Sequence, residues 1–221
     1  MFRFGKAAFA IAVAASLTSM APVHAFSLGG QSVPGVLTAY VCDDDAEDTI
    51  SSQIVNINYG GHFENFITSQ IIDNDFARDD NDDSAGAVLD GIGGTFFSSF
   101  SIDIENDTIP SNFNRIKFKF FGNDIDANHL TVNKTLNNAS ATTGTGLSNT
   151  SPPVGFTRYT FTTNQLGSNF FQLQRVYIEL RTDGRNTNIG PLTFGHVRIN
   201  SSSQAPTLNF QLSGCPININ D

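Results

Sequence analysis

The chain has 221 residues, of which 21 are acidic and 12 basic, a formal net charge of −9, and this balance argues against nucleic acid and anionic membranes, which recruit cationic surfaces. With 2 Cys, no Trp, 4 Tyr and 20 Phe and a mean hydropathy of −0.12, it is neither a disulfide-dense scaffold nor a bundle of membrane-spanning helices.

From Met1 to Ala25 the sequence has a basic start (Arg3, Lys6), an apolar run from Ala7 to Leu17 too short to span a bilayer, and a small-x-small site ending at Ala25. Those blocks read as a secretory signal peptide, so the expected location is extracellular or on the cell surface, with no membrane insertion. Cleavage leaves residues 26–221 with net charge −11, since Arg3 and Lys6 depart. That length suits one all-β domain.

Residues 26–41 form an apolar stretch with Gly29, Gly30, Pro34 and Gly35, extended and unsuited to helix. It reads either as the first strand of the domain or as a strand lent to a neighbouring subunit's open edge. Cys42 then opens the domain proper, 42–221. An oxidising compartment favours pairing it with Cys215, which would tie the termini together and stabilise by roughly 4–5 kcal/mol in the chain-entropy model; the alternative is two buried thiols.

The dominant signal beyond Cys42 has period two. Val55, Ile57 and Tyr59 predict the first such strand, with a core-facing set on one side. His62 and Glu64 follow at a spacing that projects both to one face, where they read as a structural pair.

From Asp73 to Asp90 the chain carries seven aspartates. Asp79, Asn81, Asp83 and Asp90 fall at positions 1, 3, 5 and 12 of a twelve-residue frame, with Asp73 and Asp75 able to join the same site or a second one. Carboxylates this dense repel one another, and a hard cation with oxygen ligands relieves the repulsion; the bland alternative is a solvated charge run. The spacing resembles the calcium loops of EF-hands and, more closely, of dockerins, whose last position is commonly Asp, and this resemblance implies Ca2+ at Asp79, Asn81, Asp83 and Asp90, while the charge argument extends the candidate ligands to Asp73 and Asp75. Ser84 stands at the turn position and Ala87 at position 9, and no helix flanks the loop, so the EF-hand fold is not implied. Asp43, Asp44, Asp45, Glu47 and Asp48, and again Asn123, Asp124 and Asp126, form smaller polar clusters that read as turns.

Further strands are predicted at Phe100, Ile102 and Ile104; at Ile116, Phe118 and Phe120, with Arg115, Lys117 and Lys119 facing water; at Tyr159 and Phe161; at Val176, Ile178 and Leu180; and at Leu208, Phe210 and Leu212. Thr135 to Pro153, rich in Asn, Ser, Thr and Gly, reads as an exposed loop. In Leu192 to Ile199 the apolar phase slips by one at Gly195-His196, and a β-bulge there would return Val197 and Ile199 to the core with Leu192 and Phe194. The segments Arg175–Gly184 and Leu192–Asn200 resemble the closing strands of secreted bacterial jelly-roll modules, many of them carbohydrate-binding. Calcium-binding members of that class tend to carry an acidic residue on the last strand; Gly195 and His196 stand here instead, so that metal site is not implied.

The predicted fold is thus all-β, an antiparallel two-sheet β-sandwich of about nine strands, jelly-roll-like. No catalytic signature is present: His62, His129 and His196 are far apart in sequence, and there is no Gly-x-Ser-x-Gly elbow and no His-Glu-x-x-His. The expected function is a non-catalytic, self-assembling subunit of a calcium-stabilised extracellular filament or matrix. The alternative is a calcium-dependent adhesin for polysaccharide or another surface, although the lack of Trp leaves no evident sugar platform.

Overall fold

Strands form where β-branched and aromatic residues alternate with polar ones, because each strand can then bury one face against a second sheet. The computed structural model describes residues 35–42, 49–72, 83–92, 95–111, 115–146, 151–167, 169–181, 188–200 and 207–213. Two sheets account for nearly all of them. The first runs Thr207–Ser213 (β13), Val36–Cys42 (β1), Ser84–Asp90 (β4), Gln172–Arg181 (β11), Ile116–Asn123 (β7) and His129–Thr135 (β8), with Thr95–Phe96 (β5) also pairing with β11. The second runs Thr49–Tyr59 (β2), His62–Ile72 (β3), Asn188–Ile199 (β12), Ser99–Glu105 (β6), Phe156–Thr162 (β10) and Ser140–Thr143 (β9). Every pairing is antiparallel except β1 with β13, which is parallel.

The pairings β3–β12, β4–β11, β6–β10 and β7–β8 alternate between the sheets. The chain therefore resembles a long antiparallel ribbon wrapped around the core, the jelly-roll pattern expected. Phe100, Phe118, Phe120 and Phe161 meet between the sheets with ring centroids 4.8–6.5 Å apart, and all four are buried. Phenylalanine abundance is thus largely a core property, as the alternation indicates.

Several expectations need correction. Thirteen strands, not nine, occur among the described residues; β9 is polar and exposed, and β8 offers only the short pair Leu130 and Val132, which pack on the core from partly buried positions. The stretch read as a loop from Thr135 contains β9, paired to β10, with a turn of 3-10 helix at Leu136–Asn138 before it. Lys119 is 4% exposed, because the outer face of the first sheet carries a second buried cluster of Tyr40, Val88 and Tyr177. Val55, Ile57 and Tyr59 also point outward, to a separate cluster with Phe66 and Phe156, while Ile50 and Ile54 pack on the main core. Val36–Val41 form part of the chain's own interior strand, flanked on both sides by β13 and β4; residues 1–34, with the expected signal peptide and the start of the 26–41 segment, lie outside the described residues. Cys42 is buried, and Cys215 lies outside the described residues.

The predicted irregularity in β12 is present. Gly195 pairs with Asp103 and Arg198 with Ser101, so His196 and Val197 together oppose one residue of β6. His196 takes the left-handed conformation, φ 48°. Leu192, Phe194, Val197 and Ile199 all belong to the core.

Candidate binding cleft

The bulge does more than preserve the core. Along β12 it leaves Gly195, His196 and Arg198 on the outer side of the second sheet, where the bare α-carbon of Gly195 makes room for Phe66: a Cβ there would sit 2.7 Å from the ring. Beside Gly195 lies Asp103 of β6, fully buried, and next to it Arg158 of β10. Arg158 donates Nε to Oδ1 and Nη2 to Oδ2 of Asp103, each at 2.7 Å, a bidentate pair of the strong kind. The Tyr59 hydroxyl donates to the same carboxylate. Burial raises the Tyr59 pKa, and the hydrogen bond to Asp103 adds to the shift, so Tyr59 stays a neutral donor. Asp103 thereby ties β2, β6 and β10 together under the site.

Above this floor the Tyr59 ring stacks on His196, centroids 4.7 Å apart. His196 Nδ1 lies 3.1 Å from Glu64 Oε2, and the other oxygen of Glu64 is 2.5 Å from His62 Nε2. Nη2 of Arg198 contacts His196 Nε2. A guanidinium can only donate, so Nε2 accepts and the proton sits on Nδ1, donated to Glu64. Burial lowers the His196 pKa, which favours that neutral tautomer. Both ring nitrogens of His196 are therefore occupied.

These groups line an open cleft of about 640 Å³, inside the usual range of ligand sites, roughly 300–1,000 Å³. Its lining includes Asn58, Gly60 and Gly61 of the β2–β3 hairpin together with Ser151, Pro153 and Val154, and Pro153 lies against Gly60. Asn58 Oδ1 accepts from the Gly61 amide at 2.9 Å, and Gly60 and Gly61 have φ 67° and 96°, a left-handed pair suited to a tight hairpin.

The acidic frame fares differently. Asp73, Asp75, Asp79 and Asn81 lie outside the described residues. Asp83 and Asp90 stand at opposite ends of the extended strand β4, about 23 Å apart at roughly 3.3 Å per residue, and Asp90 accepts from Arg175 Nε at 2.7 Å. One ion cannot contact both, so a loop closed by Asp90 is ruled out; extended backbone replaces the turn because Ala85, Ala87 and Leu89 alternate into the core. Among the described residues no group of three or more His, Cys, Asp or Glu side chains could hold a metal, and no helix is long and apolar enough to cross a membrane.

Of the sequence's candidates, His62 and Glu64 belong to a larger constellation, which the bulge completes by bringing in His196. Asp103, Arg158 and Arg198 are not marked by any local motif; the signal is Asp103 at a core-alternating strand's outward position, but its partners Tyr59 and Arg158 lie 44 and 55 residues away in the chain. Comparison with protein-family models, with curated proteins and with solved structures finds no match.

Proposed function

We propose that this is an exported, non-catalytic β-sandwich protein that acts as an adhesin, binding polysaccharide or a similar surface polymer at the cleft of Tyr59, Glu64, His196 and Arg198. The observation that carries the reading is the combination of an open 640 Å³ cleft with a floor locked by the buried Asp103–Arg158 pair. A rigid floor under a polar, accessible surface suits recognition, since the binding groups need no ordering when the ligand arrives. Catalysis is disfavoured because His196, the most buried imidazole of the site, has both nitrogens committed. Calcium held by carboxylates between Asp73 and Asp83 would stabilise the domain, and a Cys42–Cys215 bridge would fasten its ends.

The filament or matrix reading retains one specific support. β2, at an end of the second sheet, reads Thr-Ile-Ser-Ser-Gln-Ile-Val-Asn-Ile-Asn-Tyr and carries no charge and no Pro over 11 residues. Edge strands usually carry such blocking residues, and one without them can pair with another copy.

Mature protein, residues 26–221, should be passed over a panel of immobilised neutral and acidic polysaccharides with calcium or with chelator, while light scattering reports its size. Retention of a small species supports the adhesin. Failure to bind any polysaccharide, together with growth of ordered assemblies on adding calcium, would replace it with the filament reading.

A further inference from the structure

Arg198 is the site's unanswered charge. Asp103 is taken by Arg158, Glu64 lies against His62 and His196, and among the described residues no carboxylate lies within ion-pair distance of Arg198. Its one hydrogen-bond partner there is the neutral His196 ring. Among the described residues no acceptor meets its buried Nε–H. A buried, unsatisfied N–H on a cation is costly unless something accepts from it, and the same side chain lines the open cleft. Burial and the neighbouring Arg158 charge act against the protonated guanidinium, and the nearby Asp103 and Glu64 carboxylates offset them only in part, so an anion brought into contact with Arg198 relieves a stress already present.

We propose that the cleft binds the carboxylate of a uronic-acid residue in an acidic polysaccharide, received by Arg198; this deepens the adhesin reading and rests on it. A guanidinium offers a planar fork that matches a carboxylate. One uncompensated guanidinium suits a monoanion better than a phosphate dianion, which Glu64 on the adjacent strand would repel. The remaining lining fits a sugar ring: Pro153 and the 73% exposed Val154 offer apolar contact to a C–H face, while Asn58 and the 64% exposed side chain of His62 offer hydrogen bonds to hydroxyls. An extended peptide would need an open sheet edge or apolar side-chain pockets, and the groups named here occupy a sheet face and loop tips instead. The mature chain's net charge of −11 does not forbid a polyanion, because at physiological salt charges beyond about 8 Å are screened while the fork acts at contact.

The test is titration calorimetry of the mature protein with trigalacturonate and with its methyl ester, which has the same shape and no charge. Arg198→Gln and Arg198→Lys are compared with wild type, and Lys134→Gln, on β8 of the other sheet, serves as a control. The acid should bind at least tenfold more tightly than the ester. Arg198→Gln should remove that preference while leaving the melting temperature near wild type, and Arg198→Lys should restore only part of it, since an ammonium keeps the charge and loses the fork. Equal affinity for acid and ester, or acid binding indifferent to both substitutions at Arg198, overturns the inference and leaves the adhesin reading standing. If neither trisaccharide binds but a neutral polysaccharide retains the protein, again only the inference falls. If nothing on the polysaccharide panel binds, both fall.

Discussion

Removing the Asp103 carboxylate is the most direct probe of the site's foundation. Asp103 is fully buried, and the Arg158 side chain is 11% exposed, so Asp103→Ala leaves a guanidinium facing an apolar gap with two donors unanswered and strips Tyr59 of its acceptor. Breaking a buried pair from one side costs about 3–5 kcal/mol, because the remaining charge is uncompensated. For a domain of this size each kcal/mol lowers Tm by roughly 2–4 °C, giving a fall of roughly 6–20 °C. The companion is Asp103→Ala with Arg158→Met: with both charges gone no group is orphaned, and most of the loss should be recovered. Urea unfolding followed by circular dichroism suits a chain without Trp. A single-substitution cost below about 1 kcal/mol, or a double variant as unstable as the two single effects added, would refute the view that this pair is a coupled, desolvated unit.

Three further expectations follow from the same geometry. Calcium affinity, measured by calorimetry, should fall on Asp79→Asn and be indifferent to Asp90→Asn, because Asp90 is engaged by Arg175 far from Asp83; equal loss in both would restore the twelve-residue frame. Breaking the Asp90–Arg175 contact should itself cost under about 1 kcal/mol, since both side chains are nearly half exposed. His196, whose pKa burial lowers, binds fewer protons folded than unfolded, so its contribution to stability is present above the ordinary histidine pKa of about 6.5 and lost as pH falls below it, with a slope of at most about 1.4 kcal/mol per pH unit. His196→Asn, which tolerates the left-handed backbone, should flatten the stability profile between pH 5 and 7 even though Glu64, Asp103, Tyr59 and Arg198 remain around it; an unchanged slope would assign the acid sensitivity elsewhere.

Legibility of the sequence followed the physics of each element. Strands whose apolar residues alternate toward the main core, such as β6, β7 and β11, are written in alternation even where their polar outward residues are also covered, and the bulge is written as a slip of phase, because a displaced apolar pair has only one way back to the core. β9 is held by backbone pairing to β10 and has no apolar face, so nothing in its composition marks it, and β8 turns only Leu130 and Val132 to the core, an alternation too short to stand out. The outward Val55, Ile57 and Tyr59 have the period of a strand but not its direction: alternation says that two faces differ, and cannot say which faces the other sheet when both are partly apolar. The site was half legible. His62 and Glu64 share a face through local spacing, whereas Asp103, Arg158 and Arg198 meet only through the strand order β12–β6–β10, which no short-range pattern encodes.

The bulge joins the two halves of the problem, and deletion separates its roles. Removing His196 would leave Gly195 outward, Val197 inward, Arg198 outward and Ile199 inward, with each residue opposite one residue of β6: a regular strand whose core phase is intact. The loss is the Tyr59 stack and the link to Glu64, about 1–2 kcal/mol from one aromatic contact and one or two hydrogen bonds. Removing Val197 instead would turn the imidazole into the core in place of a valine, combining a lost apolar contact with an unsatisfied buried polar group, and should cost about 3 kcal/mol or more. Two deletions one residue apart, equal in length and loop effect, should therefore differ by at least a kcal/mol in urea unfolding, with the His196 deletion folded and the Val197 deletion close to collapse. Equal destabilisation would mean that the bulge is needed by the fold itself. The expected inequality would mean that the strand carries an extra residue for the sake of the cleft, with His196 placed there at some cost in backbone conformation to hold Arg198 and Glu64 in position.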